Sequence, residues 1–343
     1  MKNCLFKQVS QTVPRLPTPL KPLKPLTQVM KTRQRGFTLI ELLVALLISI
    51  VIAIAAVSAL VISRQGFNTV DVASQLRDNA RFSSALIHRL GVQAGFKDVQ
   101  YAATVRYPGT NADPDPSITG FNNALVSLSG AIVTATTRPA ADAGYGSDVL
   151  MLRYQSSETF PGSGISDNTM INCMGLSTAP VPTDRDDQMT SILYVNLSQG
   201  EPSLMCATIN PDSAAAMPII RGVENFQVLY GVSNTGLNVA ADSYLRADQM
   251  TGATAAATNA NWRRVRSLRI GMVLRGAVGS AQDQVTQTFY PLGMAKESAT
   301  GTAGFAMSAP DATDPGTRFT PPIDGRMRQV VTFTVHLRNA QGL

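Results

Sequence analysis

The chain has 343 residues, of which 15% are charged, and its formal net charge is +6 at pH 7. That length allows a sizeable core and room for two domains. The basic excess belongs to residues 1–36, which hold Lys2, Lys7, Arg15, Lys21, Lys24, Lys31, Arg33 and Arg35 and no acid; without them 21 bases face 23 acids. This distribution takes away the basis for general polyanion binding by the rest of the chain.

Between Phe37 and Ser63 the only formal charge is Glu41. As a helix this run spans about 40 Å, enough to cross a hydrocarbon core of about 30 Å. The bases before it place that end in the cytoplasm and the C-terminal part outside, by the positive-inside rule. A secretory signal peptide is shorter and ends in small residues, which Arg64-Gln65-Gly66 does not supply. A plain signal anchor leaves Glu41 unexplained, because a carboxylate in a membrane helix costs about 2–3 kcal/mol.

The segment Arg35-Gly36-Phe37-Thr38-Leu39-Ile40-Glu41-Leu42 resembles the type IV prepilin motif. That resemblance implies cleavage between Gly36 and Phe37 by a prepilin peptidase, followed by N-methylation of the Phe37 amine. Glu41 would pair with the amine of a neighbouring subunit, and pairing offsets the burial of both charges. The leader expected from the resemblance is short. Met30-Lys31-Thr32-Arg33-Gln34-Arg35-Gly36 has the ordinary size, while residues 1–29 hold five prolines and no apolar periodicity. Translation is therefore expected to start at Met30. A precursor of a peptidase-deficient strain whose intact mass begins at Met1 would refute this.

After the membrane segment, Val70, Ala73, Leu76, Ala80, Ala85, Leu86 and Leu90 recur at roughly helical spacing. Gly66 marks a point for a kink, and Gly91 or Gly95 a stop. Residues 96–146 read as long loops with one short strand near Ala124–Leu128 or Ala131–Thr134. Clearer strands follow at Val149–Tyr154, at Ile192–Leu197 and Leu204–Ile209 flanking a hairpin, and in the alternations Phe226/Val228/Tyr230/Val232, Leu268/Ile270/Met272/Leu274 and Val331/Phe333/Val335/Leu337. A long helix followed by period-two segments predicts an α+β fold, with the helix on a largely antiparallel sheet. The expected division is a leader (1–36), a membrane or filament-core helix (37–63), its amphipathic continuation (64–95) and a β-rich head (96–343). The stretches 233–263 and 295–326 read as long loops.

Of three cysteines, Cys4 lies in the leader. In an exported domain, Cys173 and Cys206 point to one disulfide closing a loop of about 34 residues, with two buried or free thiols as the alternative.

Chemistry finds little material. His88 and His336 are the only histidines, and neither sits in a nucleophile or metal-ligand pattern; no Gly-rich phosphate loop occurs. Asn111–Ser117 alternates oxygen side chains as a calcium loop does, but two prolines stiffen it and no closing Glu follows. Asp184, Asp186 and Asp187 around Arg185 read as a solvated turn. No enzyme activity and no cofactor are expected. Trp262-Arg263-Arg264 with Arg266 is the one local basic cluster with an aromatic residue, a minimal footing for nucleic acid.

Asp78-Asn79-Ala80-Arg81-Phe82, then Ala94-Gly95-Phe96, the segment Gly222–Val232, Trp262 with Val265–Ile270, and Arg328–Asn339 occur in an order that resembles the PilW family of type IV pilus minor pilins. J-type minor pseudopilins of type II secretion are similar and form the alternative, as does a DNA-binding tip pilin. The PilW resemblance implies a structural subunit of a tip complex that primes pilus assembly. Its implied partners are the prepilin peptidase/methyltransferase, other minor pilins, the major pilin, the inner membrane and a tip adhesin. The Asp-rich turn carried by part of the family corresponds here to Ser233–Asp242, which holds a single acid.

Overall fold

The computed structural model describes residues 36–104, 114–129, 132–177, 180–210, 213–235, 239–281, 285–293 and 314–339. The chain forms two compact units, one ending at Ala59 and the other beginning at Leu60. One helix, α1 (Leu39–Gln93), runs through both, and its hydrogen bonding continues through Gly66. In the first unit every described residue of the helix is exposed, and its outward face is apolar all round.

In the second unit the helix turns amphipathic. Its buried stripe is Val72, Leu76, Ala80, Ser83, Ile87 and Leu90, the i, i+4 and i, i+3 spacing of one helical face. This corrects the expected stripe: Val70 and Ala85 are exposed, whereas Val72 and Ile87 carry the packing. The two stripes differ by a small rotation, which small residues such as Ala73 and Ala85 do not resolve in sequence. The helix ends after Gln93. Gly95 takes the left-handed conformation (φ 77°) and donates to the Arg153 carbonyl at 2.8 Å. The Asn339 amide caps the end by donating to the Val92 and Ala94 carbonyls, each at 3.1 Å.

Eleven strands follow among the described residues: β1 (Ile118–Phe121), β2 (Ala124–Ser129), β3 (Ile132–Thr137), β4 (Val149–Tyr154), β5 (Met189–Ser198), β6 (Glu201–Asn210), β7 (Ser213–Arg221), β8 (Val223–Val232), β9 (Ser243–Leu245), β10 (Val265–Val278) and β11 (Arg326–His336). One sheet has the order β1-β4-β5-β6-β7, another β11-β10-β8-β9, and β2 pairs with β3 alone; every pairing is antiparallel. Both regions expected near Ala124 and Ala131 are thus strands, and they form one hairpin. The β5–β6 hairpin turns on Gln199 (φ 52°) and Gly200 (φ 76°), the two positive φ angles that a tight type I′ turn requires.

The alternation within β4, β5 and β6 explains why they read as continuous apolar runs. Leu150, Leu152, Leu193, Val195, Leu204 and Cys206 face the main core with the helix stripe. Val149, Met151, Ile192, Tyr194 and Ala207 face a second core, roofed by Ala124 and Val126 of β2. A sheet covered on both faces loses the apolar/polar alternation of a half-exposed one. The main core also takes Phe226, Val228, Tyr230 and Val232 of β8, Leu268, Ile270, Met272 and Leu274 of β10, and Val335 of β11. Gly91 makes the helix–β11 approach possible, since a Cβ there would stand 2.5 Å from Val335 Cγ1.

The stretch 233–263, expected as loop, contains β9, a short 3-10 helix (Ala247–Met250) and α2 (Ala255–Trp262). Thr254 caps α2, its hydroxyl accepting from Ala257 N at 3.1 Å. Most of the stretch 295–326, and residues 111–113 of the calcium-like segment 111–117, lie outside the described residues.

Candidate functional site

The N-terminal segment is built by helix-end chemistry. Thr38 stands before the first residue of α1. Its hydroxyl accepts from Glu41 N at 3.3 Å, and Glu41 Oε2 accepts from Thr38 N at 3.4 Å. This reciprocal pair is a capping box, satisfying two backbone donors that a helix start leaves free. Glu41 also places a negative charge on the positive end of the helix dipole. Gly36 and Phe37 precede it, Phe37 being 81% exposed. Leu39, Leu42, Leu43, Leu46, Leu47, Ile50 and Ile54 leave more than half of their surface uncovered. At about 25 cal/mol per Å² of apolar surface, such a helix does not remain in water. By length and composition it can cross a membrane. The structure thus places Gly36 and Phe37 just before, and Glu41 within, the first turn of an apolar helix that is exposed along its described first unit.

Cys173 and Cys206, the other sequence-derived pair, are joined as a disulfide with Cα atoms 5.7 Å apart. Cys206 is in the middle of β6, and Cys173 belongs to the long connection between β4 and β5. The bond ties that connection to the sheet, and both cysteines are buried in the main core.

Three members of the basic cluster, Trp262, Arg263 and Arg264, are spent on the fold. Trp262 is 5% exposed and meets the Tyr230 ring edge-on at 4.7 Å, so no base can stack on it. Arg263 Nη2 donates to the Pro114 carbonyl at 2.9 Å, and Arg264 Nε to the Ser233 carbonyl at 3.1 Å. His88 stacks on Phe333 with ring centroids 6.5 Å apart. Asp187 accepts from Thr183 N and Oγ1 and Asp184 is buried, so the acid-rich turn is a folded one. Among the described residues no group of three or more metal-ligating side chains occurs.

Two buried charge clusters left no mark in the sequence. Glu224 receives Arg328 Nε at 2.6 Å and Arg275 Nη1 at 3.0 Å, while Arg275 Nε also donates to Glu201 at 2.8 Å. Burial alone would lower the Arg328 pKa, but hydrogen bonds to Glu224 and Asp324 raise it overall. These ions join β6, β8, β10 and β11, strands of both sheets. The second cluster is Asp148 with Asp314. Asp148 accepts from Asn123 N at 3.0 Å and from Val228 N at 2.8 Å, fastening the start of β4 to β8. Burial and the nearby Asp314 charge push its pKa well up. Burial likewise raises Asp314 to about 6, against the pull of Arg246. Apart from Asp324 and Arg328, which are four residues apart, neither cluster follows an i, i+4 or metal-ligand spacing; the fold brings the other residues together.

Two segments of the chain match families of known proteins. Residues 31–57 match the prokaryotic N-terminal methylation motif. Residues 192–339 match the type IV pilus-assembly protein W family. Among solved structures, the chain is similar to a type IV-like pilin from Thermus thermophilus at 13% identity and a TM-score of 0.34, covering 78% of this chain and 98% of that one. No curated protein matches the chain. A methylation motif opening an apolar helix, with an antiparallel β-rich head behind it, defines a type IV pilin-like protein. Its residues 192–339, a little under half of the chain, are similar to the PilW family of type IV pilus-assembly proteins.

Proposed function

We propose that the chain is a precursor cut between Gly36 and Phe37 and methylated on the Phe37 amine, and that the resulting subunit works as a minor pilin in a tip complex that primes pilus assembly. It is held in the inner membrane by the apolar half of α1, with the head outside. Its partners are the prepilin peptidase/methyltransferase, the major pilin and other minor pilins. The observation that carries this reading is the first turn of α1. Gly36 and Phe37 precede, and Glu41 opens, a helix segment whose apolar surface no described residue of the chain covers. Inside a bundle of like helices, Glu41 would accept the amine of a neighbouring subunit.

The test is terminal sequencing by mass spectrometry of the protein isolated from its cell envelope, alongside the variants Gly36→Leu and Glu41→Leu. The expected terminus is N-methylated Phe37. Gly36→Leu should accumulate uncut precursor. Glu41→Leu should be cut yet be depleted from sheared filaments about tenfold or more, the loss of a buried ion pair. A wild-type terminus at Met1 or Met30 would overturn the processing step. Normal incorporation of Glu41→Leu would overturn the pairing.

A further inference from the structure

The start of β10 holds a cationic side chain with unspent hydrogen-bonding capacity. Val265 pairs with Val232 and Ser267 with the adjacent Gly231, so Arg266 is an extra residue facing no partner on β8. Such a bulge re-aims its side chain. Arg266 Nη1 donates to the Arg263 and Val265 carbonyls, both at 2.9 Å. Its Nε and Nη2 are shut off from solvent and have no hydrogen-bond partner. A guanidinium edge without water or an acceptor costs free energy, more than a neutral donor does. Burial lowers the Arg266 pKa, and no acid among the described residues offsets this.

Arg266 also lines a surface cavity of about 400 Å³, together with Tyr244, Ser267, His336, Leu337 and Arg338. Its chemistry is one-sided. Arg266 and Arg338 are cations. Tyr244 and Ser267 bring hydroxyls 3.4 Å apart, while Val239 and Leu337 add apolar wall. The acid on the neighbouring loop, Asp242, is taken up by Asn234 and Ser243. We infer that this cavity is a binding site for a carboxylate on a short aliphatic arm, received by the Nε/Nη2 edge of Arg266. The fork of a guanidinium matches the two oxygens of a carboxylate. Binding would require the guanidinium to turn about its side-chain bonds so that this edge, shut off from solvent in the free chain, meets the cavity. The cations supply charge, the hydroxyls fix orientation, and Leu337 and Val239 accept the arm. A polypeptide offers this chemistry at its C-terminal residue or at a Glu side chain, so the site suits an incoming peptide segment. Nothing in this argument depends on cleavage at Gly36 or on Glu41.

The experiment is an NMR titration of the full chain, labelled with ¹⁵N-arginine and held in detergent micelles. N-acetyl-leucine is the probe for a chain terminus and N-acetyl-glutamic acid α-amide the probe for a side chain. One or both should shift the Arg266 Nε–H resonance saturably, and the stronger names the source. The neutral N-acetyl-leucinamide should not. Arg266→Lys keeps the charge without the fork and should weaken binding about tenfold. Arg338→Gln, exposed at the mouth, should weaken it by about half that factor without disturbing the fold. No saturation by about 50 mM of either acid, an equal response to the amide, equally tight inorganic phosphate, or undiminished binding by folded Arg266→Lys would each overturn the inference.

Discussion

The two halves of α1 share one backbone but answer to different surroundings. Before Ala59 the helix carries apolar residues on every side and buries none of them; after Val72 it buries one stripe and keeps Asp71, Arg77, Asp78 and Arg81 on the other face. The second half is stabilised inside its own chain by Ile118, Leu150, Phe226 and Val335. The first half depends on lipid or on other helices. Helical propensity is therefore not what separates them. What differs is where the apolar surface goes.

The largest effect should come from breaking the second half. Leu76→Ala deletes a side chain that is 2% exposed and should cost the head about 2–5 kcal/mol. Leu47→Ala, 65% exposed, should leave head stability unchanged within about 0.5 kcal/mol. Chemical denaturation of both variants in micelles, followed by Trp262 fluorescence, checks the contrast; equal losses would mean the halves are energetically one unit.

Next is the disulfide. Replacing both Cys173 and Cys206 by Ser should lower head stability by about 2–4 kcal/mol. The apolar half of the helix should keep its micelle-bound circular dichroism. Loss of that signal would contradict the independence of the two regions.

A smaller effect should follow pH. The Asp314 carboxyl is raised from 3.8 to about 6. Between those values the folded head binds more protons than the unfolded chain, so this group's contribution is complete below about 4 and is lost as pH rises through about 6. The change is at most about 3 kcal/mol. Asp314→Asn should flatten the melting temperature across that window. A slope equal to wild type would show that the group does not titrate there. The smallest effect is at Thr254→Ala, which removes the α2 cap and should cost about 1 kcal/mol by thermal melting.

How legible each region was depends on how local its cause is. The membrane segment was plain because Gly36, Phe37, Glu41 and the run behind them lie within a few turns. The strands β4, β5, β6, β8, β10 and β11 showed through apolar residues that face a core. β7 did not: Ala214, Ala215 and Ala216 are weak strand formers, and Pro218 reads as a breaker. It is tolerated because β7 is an edge strand with a register shift beside that residue. α2 is too short for a stripe, and Thr254 was its one signal. The cysteines could be paired in sequence because exported domains favour oxidation, whereas Asp148/Asp314 and Glu224/Arg275/Arg328 meet only through sheet topology. Arg266 was visible as a basic residue, but its unpaired edge arises from a bulge that no sequence pattern announces.

The capping box at Thr38 and Glu41 bears on reversibility. A carboxylate bonded to its own backbone never stands bare in hydrocarbon while a subunit waits in the bilayer. If the pairing proposed above holds, transfer to a neighbour's amine would exchange one acceptor role for another, and the return journey would be the same exchange run backwards. Such a handover would leave no bare carboxylate in either direction, the property wanted in a part that enters a polymer and is recovered from it.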